Sequence, residues 1–182
     1  MKSLGQIKEG ILRLLWKIEG PLDLRGISEK MGLKARSANM HLLGLRKAGY
    51  VSASEDGHYT LTESGKEVIG FPKVDDSLAR RVLSKTPPEK AFHFYAGIGQ
   101  PLGVSSDNLT DFCDKIRWVD IGAVDFHSAR GDFELWVHSL GDVELAKRLR
   151  LIREENLTGQ TLQERLCRVL ESRCDELLKR VA

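Results

Sequence analysis

The stretch KARSANMHLLGLRKAGYV, from Lys34 to Val51, decides the reading of the first half. At 100° per residue, Ala38, Leu42 and Leu45 fall within about 60° of one another and define an inward stripe. Arg36, Met40, Leu43 and Lys47 fall about 140–200° away, on the opposite face. Ser37 and Asn39 flank that face. The spacing predicts a helix over Lys34–Ala48, ended by Gly49. Cations beside amide and hydroxyl groups on one solvated helical face suit phosphates and base edges.

Working toward the N-terminus, Gly32-Leu33 reads as a turn, and Leu24–Met31 as a short helix with Ile27 and Met31 facing in. Ile11, Leu12, Leu14, Leu15 and Ile18 recur at helical spacing, which predicts a first helix over Ser3–Glu19, closed by Gly20-Pro21. Toward the C-terminus, Tyr50–Ser54 and His58–Leu61 flank Glu55-Asp56-Gly57, the pattern of a hairpin. Thr62 then caps a helix through Glu67, Val68 and Ile69.

The spacing Met31-Gly32-Leu33, then Leu42-x-x-Leu45-x-x-Ala48-Gly49-Tyr50-Val51, then Tyr59-x-Leu61-Thr62-x-x-Gly65, resembles the winged helix-turn-helix of prokaryotic, archaeal-type transcription regulators. It covers about residues 4–70. The resemblance implies that helix 34–48 enters the major groove of double-stranded DNA. Arg36 and Asn39 would then read bases, Ser37 and Lys47 meet phosphates, and Met40 and Leu43 meet thymine methyls, with Lys34 at the helix start. The wing tip departs from the pattern: it carries Glu55 and Asp56 with His58 nearby and no Lys or Arg, so it does not suit a minor groove. The alternative is a protein-interaction module that docks a partner through Met40 and Leu43.

Composition agrees with a globular chain. Of 182 residues, 41% are hydrophobic and 30% charged, which excludes a disordered chain. Residues 1–72 carry eleven Lys/Arg against eight Asp/Glu, so the excess positive charge of the chain lies there. No apolar run is long enough for a membrane span. Met1–Gly10 has no uninterrupted apolar core of the kind a secretory leader needs. Three scattered cysteines give neither a disulfide framework nor a zinc site, so a cytoplasmic location and no metal are expected.

The pattern breaks at Gly70–Asp76 and again at Lys85–Glu89. The expected organisation is therefore a domain at 1–72, a linker at 73–89 with a short helix over Ser77–Ser84, and a helical domain at 90–182. Within the last, Ala91–Tyr95 reads as a short extended aromatic segment and Gly97–Gly103 as a glycine turn; no phosphate-loop spacing fits there. Helices are expected over Leu109–Ile116, Asp120–His127, Phe133–Leu140 and Val143–Ile152, with Asp or Asn caps that include Asp132 and Asp142. The longest is expected over Thr161–Val181, with Thr161 and Glu164 as a capping box. Its stripe of Leu162, Leu166, Leu170, Cys174, Leu177 and Val181 needs a partner, either its own domain or a second chain in a symmetric dimer, for which the first helix is a second candidate interface.

The motifs Phe92-His93-Phe94-Tyr95, Leu109-x-x-Phe112, Phe126-His127 and Gly131-Asp132-Phe133-Glu134-x-Trp136 are similar to an uncharacterised domain family of archaea and bacteria, over about 90–152. That family brings no activity with it. His93, His127, Arg130 and Trp136 are the ligand-binding candidates, for an effector the sequence does not name. No nucleophile–base pair and no cofactor motif is legible, so no enzyme is expected. The expectation for the whole chain is a mainly α-helical DNA-binding regulator whose second half dimerises or senses an effector.

Overall fold

A computed structural model describes residues 4–182. Among them the chain is mainly α-helical, with ten α-helices and two small antiparallel sheets. It divides into two compact units, residues 1–73 and 74–182.

The first unit opens with α1 (Gln6–Ile18), which buries Ile11, Leu12, Leu15 and Trp16. The expected start at Ser3 lies outside the described residues. Two residues, β1 (Leu22–Asp23), separate it from α2 (Leu24–Met31), whose N-terminus Asp23 caps through Gly26 N–H. Gly32 then takes the left-handed conformation at φ 63°, and Leu33 N–H donates to Ser28 O. Ser28 Oγ donates back to Leu33 O at 2.5 Å. These bonds fix the angle at which α3 (Ala35–Lys47) leaves the turn. Ala38, Leu42 and Leu45 are the buried face of α3, as the periodicity requires.

Next, β2 (Val51–Ala53) and β3 (His58–Leu61) pair as a hairpin turned at Gly57, φ 82°. Strand β1 adds to the far side of β3, giving the order β1-β3-β2. This third strand is new relative to the sequence reading, because two residues carry no alternation to detect. Helix α4 (Glu63–Val68) follows, capped by Thr62, whose Oγ1 accepts from Gly65 N–H and donates to Gly49 O. Phe71 stacks on Trp16 with ring centroids 4.7 Å apart.

The second unit begins earlier than expected. Helix α5 (Asp76–Leu83) is not part of a linker: Val74, Ala79 and Val82 are buried in the core of this unit. Its solvated sequence (Asp75, Asp76, Ser77, Arg80, Arg81) hid a two-residue apolar edge. A 3-10 turn (Pro88–Lys90) leads into β4 (Phe92–Gly97) and β5 (Gln100–Ser106), an antiparallel hairpin. The extended segment expected at Ala91–Tyr95 is thus one strand of a two-stranded sheet in an otherwise helical unit. Gly97–Gly103 reads as a turn; Ile98 and Gly99 do form one, yet strand β5 runs through Pro101 and Gly103. Its register shifts twice against β4, and the irregularities absorb residues a regular central strand would not tolerate.

Five helices complete the unit: α6 (Leu109–Ile116), α7 (Ile121–Arg130), α8 (Asp132–Leu140), α9 (Val143–Glu154) and α10 (Gly159–Val181). Asn108, Asp120 and Asp142 cap α6, α7 and α9 through side-chain acceptors. Helix α10 starts at Gly159, not Thr161, and the capping box does not form. Asp125 of α7 accepts from Gly159 N–H instead, at 2.8 Å. Leu162, Leu166, Leu170, Cys174 and Leu177 are all buried in the core of their own unit. The stripe already has its partner, so it is not a free dimer face. The buried stripe of α1 is likewise spent on its own unit.

Candidate nucleic-acid interface and ligand cleft

In the first unit, one face of α3 remains outside the core. Lys34, Arg36, Met40, Leu43 and Lys47 are exposed, and Ser37 and Asn39 are half-buried beside them. From Lys34 to Lys47 there is no Asp or Glu. None of Lys34, Arg36, Arg46 and Lys47 has a carboxylate within ion-pair distance among the described residues. Lys34 supplies no side-chain cap, so the first-turn N–H groups of α3 stay open to an acceptor.

The structure adds one cation the sequence reading missed. A Cβ on Gly44 would meet Lys8 Nζ at 3.2 Å, so the Lys8 ammonium from α1 lies over the middle of α3. The signal was Gly44 itself. A glycine in a helix interior costs about 0.5–1 kcal/mol relative to alanine, and here it makes room for that ammonium.

The hairpin tip is of opposite character. Asp56 lies 3.0 Å from His58 Nδ1 and accepts a bond from Ser54 Oγ. The Ser54 hydroxyl, with help from His58, holds the Asp56 carboxyl below its ordinary range. The tip therefore presents Asp56 as an anion, next to Glu55.

In the second unit, β4, the β4–β5 turn, α7 and α8 enclose a cleft of about 500 Å³. It brings together all four ligand candidates, His93, His127, Arg130 and Trp136, with Tyr95 and Phe126. Their roles differ. His127 is buried at 4% exposure, and both of its nitrogens are occupied. Nε2 accepts from Tyr95 N–H at 2.8 Å, and Nδ1 lies 2.8 Å from Asp132 Oδ2. These bonds assign the proton to Nδ1 and leave no lone pair for a metal and no free base. Trp136 Nε1–H is likewise spent, donating to Lys90 O at 2.9 Å.

Asp132 corrects the sequence reading. It makes no cap bond; α8 begins after Gly131, φ 75°, without a side-chain cap. Its Oδ2 instead takes both His127 Nδ1–H and Arg130 Nε–H, the latter at 3.0 Å. The Arg130 guanidinium lies 5.2 Å from the Phe126 ring centroid. Arg130 is thus aimed by a carboxylate and a ring while its side chain stays 52% exposed. Phe126 had been passed over as the neighbour of His127; its part is to seat that guanidinium.

Comparison with protein families, curated proteins and solved structures finds no match to this chain. No group of three or more His, Cys, Asp or Glu among the described residues is arranged to hold a metal ion. No helix among them is long and apolar enough to cross a membrane.

Proposed function

We propose that residues 1–72 are a winged helix-turn-helix that binds double-stranded DNA, and that the chain is a transcription regulator. The observation that carries this reading is the exposed face of α3. It gathers unpaired cations from two helices and holds no carboxylate. Arg36 and Asn39 face out where bidentate contacts to guanine and adenine are made. Lys8, Lys34, Ser37 and Lys47 surround them as phosphate contacts, with the uncapped start of α3 as a further anion acceptor. The acidic hairpin tip stays out of the minor groove in this reading. Pairing of two chains, which would set two α3 helices about 34 Å apart, has to use a surface other than the α1 and α10 stripes.

The test is fluorescence anisotropy on random-sequence duplex DNA over a range of salt. With about three phosphates neutralised by Lys8, Lys34 and Lys47, log K falls against log salt with a slope near −2.7. Arg36→Ala weakens binding to a selected operator by about 1–3 kcal/mol and relaxes one base position. Unchanged selectivity in that variant sinks the assignment of Arg36.

A second reading is favoured by Met40 and Leu43, which are 68% and 48% exposed on the same face. Such side chains suit a protein partner. In that case binding is nearly flat with salt, and the duplex titration is empty at low salt.

A further inference from the structure

We propose that the cleft of the second unit binds a small planar aromatic carboxylate, the carboxylate on Arg130 and the ring against Tyr95 and Phe126. Its volume of about 500 Å³ lies within the usual range of small-molecule sites. Arg130 is the one lysine or arginine that lines it. Its Nε is committed to Asp132, its side chain is 52% exposed, and the terminal nitrogens have no bonded partner among the described residues. That edge is the fork that fits a carboxylate.

The side chain is held before a ligand arrives. Phe126 lies against the guanidinium, and Asp132 fixes its Nε. His127 in turn fixes Asp132, and the Tyr95 backbone N–H fixes His127. Pre-orientation of this kind reduces the ordering cost of binding.

The remaining lining selects the class. Asp132 already accepts two donors through Oδ2, so its charge is shared with His127 and Arg130 before a ligand arrives. One arginine suits a monoanion better than a phosphate monoester. The Trp136 and His127 N–H groups are spent, so besides Arg130 and Asp132 the polar groups left on the walls are the His93 ring and the Tyr95 hydroxyl, set among aromatic faces. Ile98, at the turn between β4 and β5, is 85% exposed on the cleft's rim. An isoleucine there gains burial when an apolar body fills the space.

This inference does not depend on the DNA-binding reading, and it is tested on the full chain without DNA. The probes are 2-naphthoate and its uncharged analogue 2-naphthamide, titrated by calorimetry. The acid binds one saturable site, about tenfold or more tighter than the amide. Arg130→Gln brings the acid down to the level of the amide and leaves the amide unchanged. Ile98→Ser, at an exposed turn, weakens both. Leu135→Ser, exposed on α8 outside the cleft, changes neither. Absence of saturable acid binding up to about 5 mM, a range that still reports interactions of millimolar strength, overturns the proposal. Equal affinity for acid and amide, or full acid affinity in Arg130→Gln, overturns it as well.

Discussion

Two glycines show how far single atoms control the first unit. At Gly44 a Cβ would meet only the end of a flexible lysine side chain, Nζ at 3.2 Å and Cε at 3.4 Å. Lys8 can move aside, so Gly44→Ala should stabilise the unit by about 0.5–1 kcal/mol in urea titration. The same change pushes the Lys8 ammonium off α3, so duplex affinity should fall while stability rises. A parallel rise in both would remove Lys8 from the interface. Gly65 is the opposite case. A Cβ there would run into the carbonyl oxygen of Tyr50, which is backbone, and into Leu61 Cδ1. Neither can swing away freely, because Tyr50 O accepts from Thr62 N–H and anchors the start of α4. Gly65→Ala should cost about 1–3 kcal/mol, read as a lower urea midpoint at unchanged slope. A residue reading of the sequence reached Gly65 as part of a motif; the reason only glycine fits is a tertiary contact that no spacing shows.

At the scale of elements, helices with a strong apolar period were legible, and short or irregular pieces were not. The α3 stripe of Ala38, Leu42 and Leu45, the caps at Asn108, Asp120 and Asp142, and the Asp-Gly hairpin turn all stand where local chemistry puts them. Strand β5 was lost because Pro101 and Gly103 outweighed the alternation of Leu102, Val104 and Ser106. Only the last of these is fully buried, so the alternating signal was faint. Helix α5 was lost as a core element because a linker and a solvated helix with two buried residues share one composition. Asp132 was misjudged because an aspartate at a helix start satisfies a local rule, whereas its partners come from five residues before and two before. The α10 stripe was legible but its partner was not: periodicity reports that a face is covered, not by what, and here the core of its own unit covers it. Leu170→Ala therefore should lower stability by about 2–5 kcal/mol, the cost of a cavity in a packed core. If α10 were instead a dimer seam, the same variant would shift sedimentation toward monomer with the fold intact.

For the molecule as a whole, the decisive electrostatic feature lies in neither candidate site. Arg173 of α10 is 4% exposed, and its guanidinium meets Asp142 at 2.7 and 2.9 Å. It also meets Glu144 at 3.2 Å and Glu176 at 2.7 Å. Asp142 and Glu144 are themselves buried, at 1% and 3%. Asp142 at the same time caps α9, so one cluster ties the start of α9 to the longest helix. Burial works against the charge on Arg173, and the Asp142 bonds and the three carboxylates outweigh it, holding the guanidinium charged well above its ordinary range. Arg173→Met keeps the volume and removes the charge, leaving Asp142 buried without its partner. Breaking a buried pair in this way costs about 3–5 kcal/mol. The loss falls on residues 74–182, whose core cluster contains no residue of the first unit. In a Trp16→Phe background only Trp118 and Trp136 remain, so tryptophan fluorescence in urea reports that unit alone. An unchanged urea midpoint in Arg173→Met would mean that the cluster is held by packing rather than by charge.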